Sequence, residues 1–124
     1  MSVTDLYFFD SYAIIEMIKG NQSYLPYLDA MAVTTKMNIL EVVYVMVREE
    51  KDQLAHEVIK HFYDKTVDLD QNAIFEIAMW RCKQKPKKFS FVDCAGYVLS
   101  KRLGIPFVTG DTEFEGEENV IFVR

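Results

Sequence analysis

Four acidic residues, Asp10, Glu41, Asp93 and Asp111, fall at places in the chain where they could act together. Asp10 ends the apolar run Leu6-Tyr7-Phe8-Phe9 and precedes a helical pattern. Glu41 lies inside the helical pattern that opens at Lys36. Asp93 follows Ser90 at the spacing of a capping box in a first helical turn. Asp111 closes the run Phe107-Val108 after the breaker Gly110. In an open α/β sheet, strand ends and the starts of the following helices share one edge, and ligands bind there. Carboxylates gathered on that edge repel strongly unless they are protonated or neutralised by cations. Oxygen-only ligands select a hard ion, Mg²⁺ or Mn²⁺, over Zn²⁺. Such an ion can make a water nucleophilic at neutral pH, and a phosphodiester's charged oxygens suit its remaining positions.

Each of these features also has a plainer reading. Asp10 suits a helix N-cap. The run Ile39 to Val47 is apolar all the way round apart from Glu41, so this helix is expected to be buried. A buried Glu41 needs a partner, a proton or a metal, and pairing with Arg48 or an outward path is the alternative. Arg81, Lys83, Lys85, Lys87 and Lys88 lead into Ser90 and Asp93. They read either as solvated surface or as phosphate steering, with Lys87 and Lys88 nearest the acids. His56 and His61 point roughly 140° apart on a helix and form no metal pair. Cys82 and Cys94 fit no metal spacing and read as reduced, buried thiols.

The elements that position the acids alternate. Short apolar runs at Leu6–Phe9, Ala32–Thr35, Val67–Leu69, Ile105–Val108 and Val120–Val123 read as strands. Between them lie helical patterns from Ser11 to about Gly20, Lys36 to Arg48, Asp52 to Asp64, Asp70 to about Lys83 and Ser90 to Gly104. This predicts an α/β fold, a three-layer α/β/α sandwich with a mainly parallel central sheet. The 124 residues suit a single domain over 1–124. A net charge of −5 argues against a protein that coats nucleic acid nonspecifically. It does not exclude an enzyme whose carboxylates hold cations. No segment approaches about 18 uncharged apolar residues, so no membrane span is expected. The start, MSVTDLYFFD, carries acid instead of a basic region, so the expectation is a cytoplasmic protein without a secretory signal.

The residues resemble those of PIN-domain proteins, in particular VapC-type toxins and small stand-alone archaeal PIN proteins. The likeness is carried by Phe8-Phe9-Asp10-Ser11, Asn38-Ile39-Leu40-Glu41, Phe91-Val92-Asp93-Cys94-Ala95-Gly96-Tyr97 and Pro106-Phe107-Val108-Thr109-Gly110-Asp111-Thr112-Glu113-Phe114. The resemblance implies an Mg²⁺/Mn²⁺-dependent endoribonuclease in which Asp10, Glu41, Asp93 and Asp111 are the metal-binding acids. It also implies that Glu113 serves a second metal and that Ser11 and Thr109 hold a water or a phosphate oxygen. Metal-activated water would attack phosphorus in line, leaving a 5′-phosphate and a 3′-hydroxyl. A homodimer is implied, with Tyr12, Tyr24, Tyr27 and Tyr44 as interface or core aromatics. A VapC-like toxin further implies an antitoxin protein whose basic segment fills the acidic groove.

Two other readings compete. In the first, Asp10 is the nucleophile of a phosphatase or phosphoacceptor domain, but Tyr12 stands where the second acid or Thr of such a site belongs. In the second, the chain is a catalytically silent PIN-fold scaffold or RNA-binding module that retains its acids.

Overall fold

The computed structural model describes residues 5–84 and 87–124, so Lys85 and Pro86 of the basic stretch lie outside the described residues. Strand β1 (Leu6–Phe9) leads into helix α1 (Ser11–Ile18), a 3-10 turn over Gln22–Tyr27 and strand β2 (Met31–Val33). Helices α2 (Lys36–Arg48), α3 (Asp52–Phe62), α4 (Gln71–Lys83) and α5 (Phe91–Leu103) follow. Strand β3 (Phe107–Thr109), a 3-10 turn over Thr112–Phe114 and strand β4 (Val120–Phe122) complete the described chain.

The strands lie in the order β2-β1-β3-β4, and every pairing is parallel. Phe8 faces Phe107 and Phe9 faces Val108 in the β1–β3 register. Both faces of a parallel sheet are covered by helices, which is why these strands read as continuous apolar runs. Phe8 and Phe107 stack at 5.6 Å on one side, in a cluster with Ala73 and Ile77 of α4 and Tyr97 and Leu99 of α5. Phe9 and Val108 turn to the other side, among Ala13, Ile14, Ile39, Val42 and Val58 of α1 to α3. The result is the three-layer α/β/α sandwich that the alternation predicts. Helix α5 lies so close to the sheet that a Cβ on Gly96 would stand 2.8 Å from Phe8 Cε1.

The helix starts are fixed by side chains. Asp10, Thr35, Asp70 and Ser90 each accept a backbone N–H from the first turn of α1, α2, α4 and α5. Such caps contribute about 1 kcal/mol apiece. Ser90 and Asp93 form the full capping box, and Gly104 closes α5 in the left-handed region at φ 70.

Several expectations need correction. Val67–Leu69 is not a strand, because one bridge between Thr34 and Thr66 is all the pairing that segment makes. Asp68 and Leu69 are exposed there, so little apolar burial draws the segment onto the sheet. Helix α2 is not buried all round: Ile39, Val42 and Met46 enter the core, whereas Leu40, Tyr44 and Val47 are exposed. Helix α3 stops at Phe62 and gives way to a 3-10 turn over Tyr63–Lys65. Cys94 is buried as expected, but Cys82 is exposed on the outer side of α4. Tyr24 is fully buried, which removes it from any interface, and Tyr44 is exposed. No helix among the described residues is long and apolar enough to cross a membrane.

Candidate active site at the carboxyl edge of the sheet

The chain passes from β1 outward to β2 and returns to β3 on the other flank of β1. The order therefore reverses between β1 and β3, and open α/β sheets bind their ligands at the carboxyl ends of strands at such a point. Asp10 stands at the end of β1 and Thr109 at the end of β3, and they meet across this reversal. The Thr109 hydroxyl donates to Asp10 Oδ2 at 2.5 Å, and the backbone N–H of Ala13 donates to Asp10 Oδ1 at 2.9 Å. The N-cap reading of Asp10 is thus correct, and the residue stands at the carboxyl end of β1 as expected.

Asp10 is 3% exposed, and burial pushes its carboxyl up to about 7. The hydrogen bonds from Thr109 and Ala13 oppose that shift, whereas the charges of Asp93 and Asp111 add to it. Three acids from separate elements therefore share one electrostatic neighbourhood. Asp93, at the start of α5, is also raised, chiefly by burial and partly by Asp111, against the Ser90 hydrogen bonds. Its Oδ2 accepts the Ser90 N–H at 3.0 Å. Asp111 follows β3 at the tip of a turn, accepting the Glu113 N–H through Oδ1 at 3.0 Å and donating its own N–H to Thr109 Oγ1 at 3.1 Å.

Glu41 enters differently. It is half-buried on α2, and its partner is Ser11, whose hydroxyl donates to Oε1 at 2.5 Å. The Arg48 pairing does not form; that guanidinium lies over the Tyr44 ring at 5.5 Å. Glu113 is exposed on the 3-10 turn after Asp111. Lys87 is held by the acidic loop, with Nζ 3.0 Å from the Glu113 carbonyl oxygen and 3.1 Å from Glu117 Oε1. Lys88 is exposed beside it. His56 and His61 are both exposed on α3.

Among the described residues, no three His, Cys, Asp or Glu side chains form a ready-made cation nest. Each acid instead gives an oxygen to a protein donor: Asp10 to Ala13 and Thr109, Glu41 to Ser11, Asp93 to Ser90 and Asp111 to Glu113. The donor set itself fits a hard divalent cation, being all oxygen. A buried carboxyl raised by burial and by two neighbouring negative charges is also what a cation relieves.

Two contributors escape a reading that follows charge alone. Asn38 is 1% exposed and donates its side-chain amide to Ser11 Oγ at 3.0 Å. Its signal in the sequence is a polar residue one helical turn before Glu41 on an otherwise apolar face. Gly110 is the other: a Cβ there would stand 2.2 Å from Tyr12 Cε1 and 2.4 Å from the Val123 carbonyl oxygen. The lack of a side chain is what lets the turn bearing Asp111 lie against α1 and the end of β4.

Solved structures share this fold. A toxin–antitoxin complex from Klebsiella pneumoniae superposes with a TM-score of 0.75 at 16% identity, over 93% of this chain and 95% of that one. VapBC2 from Rickettsia felis, bound to a DNA fragment from its promoter, gives a TM-score of 0.73 at 14% identity, over 96% and 99%. VapC20 of Mycobacterium tuberculosis, a toxin that cleaves the sarcin–ricin loop, gives 0.72 at 13% identity, over 89% and 95%. No curated protein matches the chain by sequence. The sequence profile of the PIN domain matches residues 7–116, nearly the whole length. The chain belongs to the PIN domain family.

Proposed function

We propose that this chain is an Mg²⁺- or Mn²⁺-dependent endoribonuclease of the VapC-like toxin type. The observation that carries the reading is the convergence of Asp10, Asp93 and Asp111 on the reversal point of a parallel sheet, with the Asp10 carboxyl raised chiefly by burial and further by the charges of the other two. In this reading Asp10, Asp93, Asp111 and Glu41 hold the cation, and Glu113 stands ready for a second. When bound, the cation supplies positive charge for the phosphoryl oxygens and lowers the pKa of a water.

The protein's own residues prepare that site. Thr109 fixes the Asp10 carboxyl and the Asp111 backbone together, because one hydroxyl bonds both. Ser11 fixes Glu41. These two hydroxyls act as holders of the carboxylates more than as free phosphate ligands. Among the described residues, Lys88 is a cation available for steering a phosphodiester chain, whereas Lys87 organises the loop around Glu113 and Glu117. The reaction is hydrolysis of an RNA phosphodiester by water, leaving a 5′-phosphate and a 3′-hydroxyl.

A protein antitoxin is part of this proposal, supported by structural neighbours crystallised as toxin–antitoxin complexes. A homodimer is proposed as well, with Leu40, Tyr44 and Val47 of α2 among the apolar residues open to a partner. The test is cleavage of a mixed-sequence single-stranded RNA by wild type and Asp93→Asn, with Mn²⁺, Mg²⁺ or EDTA. Metal-dependent products bearing 5′-phosphates, absent from the variant, are expected. Binding of RNA without cleavage under every metal condition would leave the scaffold reading in its place.

A further inference from the structure

Between helices α1 and α2 the polar side chains form a chain of hydrogen bonds with a fixed direction. The Thr35 hydroxyl oxygen accepts the Asn38 backbone N–H at 3.1 Å as the cap of α2. Its own proton goes to Asn38 Oδ1 at 2.6 Å. With Oδ1 so engaged, the Asn38 amide group faces Ser11 and donates to Oγ at 3.0 Å. The single proton of Ser11 then goes to Glu41 Oε1 at 2.5 Å. Asn38 and Glu41 lie one turn apart on α2, so the chain leaves that helix, crosses to the first residue of α1 and returns.

We propose that Asn38 is a positioning residue for the reaction: its buried amide dictates which way the Ser11 hydroxyl points and so holds Glu41 at the acidic edge. The inference rests on the nuclease reading. Its chemical ground is that a serine hydroxyl rotates freely and can donate or accept. Only a donor aimed at Oγ from behind leaves the serine proton a single useful partner. Asn38 supplies that donor from a site 1% exposed, where water does not compete. An aliphatic residue there would leave Thr35 without an acceptor and Ser11 free to turn away. An aspartate would take the Ser11 proton for itself and release Glu41.

The test is a double-mutant cycle on single-turnover RNA cleavage with Asn38→Ala, Ser11→Ala and both together. Outer partners of site ligands typically cost about 10- to 100-fold in activity when removed, and that is the loss expected in the single-turnover cleavage rate, with the half-saturating RNA concentration within about twofold. The double variant should fall no further than the worse single variant, because both remove one chain of bonds. If Asn38→Ala does not fold, Asn38→Asp replaces it, keeping the volume and removing the donor. An independent readout is the ¹⁵N side-chain amide signal of Asn38, which should exchange slowly in wild type and shift in Ser11→Ala. Additive losses in an active enzyme, or an Asn38 amide indifferent to Ser11, would overturn this proposal alone. A wild-type chain that cuts no RNA would overturn it together with the nuclease reading.

Discussion

The Thr109 hydroxyl reaches Asp10 Oδ2 at 2.5 Å, tying the last residue of β3 to the residue that follows β1. Both groups are almost wholly buried, so the bond lies where water cannot replace it. It places a carboxyl at the one point of the sheet where neighbouring crossovers leave in opposite directions.

This burial has a pH signature in metal-free protein. The Asp10 carboxyl ordinarily titrates at 3.8 and is pushed to about 7 in the fold. Below 3.8 both folded and unfolded chains hold the proton and stability is undiminished. As pH rises from 3.8 towards 7, the unfolded carboxyl ionises while the folded one keeps its proton, so stability falls. Above 7 both are ionised and the loss is complete. Asp10→Asn, melted in EDTA, should therefore gain progressively on wild type in melting temperature between about pH 4 and pH 8. A gap that stays constant with pH would contradict the assignment.

Asp93 has two jobs that substitution can separate. Its carboxylate caps α5 through the Ser90 N–H and contributes negative charge to the edge. Asparagine keeps an oxygen for the cap, whereas alanine does not. Asp93→Asn should lose RNA cleavage by at least about 100-fold, the scale of a lost electrostatic contact in catalysis, while melting near wild type. Asp93→Ala should lose as much activity and a further ~1 kcal/mol of stability, measured by urea unfolding.

Gly110→Ala should be among the more damaging single-methyl additions. The new Cβ would meet the Tyr12 ring, which can turn, and the Val123 carbonyl oxygen, which is backbone and cannot easily give. Destabilisation of about 1–3 kcal/mol is expected in chemical denaturation, together with loss of cleavage as the Asp111 turn is displaced. Truncating Tyr12 in the same chain should not restore stability, because the carbonyl contact remains.

Lys87 and Lys88 should behave differently. Lys88→Ala should raise KM for RNA and flatten its dependence on salt concentration, as loss of a phosphate contact does. Lys87→Ala should act on the loop it holds, raising protease sensitivity between Glu113 and Glu117. Equal effects of both substitutions on KM alone would show that Lys87 also serves the substrate.

Much of this arrangement was legible in residue order. The caps at Asp10, Asp70 and Ser90 and the stop at Gly104 follow from local chemistry, and the structure has them where the residues place them. Strands β1 and β3 stand out because both faces of the sheet are covered and the residues, Thr109 apart, are apolar. What local pattern cannot carry is relative exposure. Helix α2 is apolar on both sides, and only the sheet's position decides that Val42 is covered and Tyr44 is not. Val67–Leu69 has strand composition but finds one bridge at the sheet's margin. The partner of Glu41 was equally hidden: an ion pair with Arg48 is close in sequence, whereas Ser11 becomes a neighbour through packing of α1 on α2.

The most direct measurement is calorimetric titration of Mn²⁺ into metal-free wild type and Asp10→Asn, because the acids must act as one cation site before any hydrolysis. The account predicts saturable binding to wild type, a rise in melting temperature with Mn²⁺, and loss of both in the variant. Wild type that binds no Mn²⁺, or a variant that binds it equally well, would contradict it.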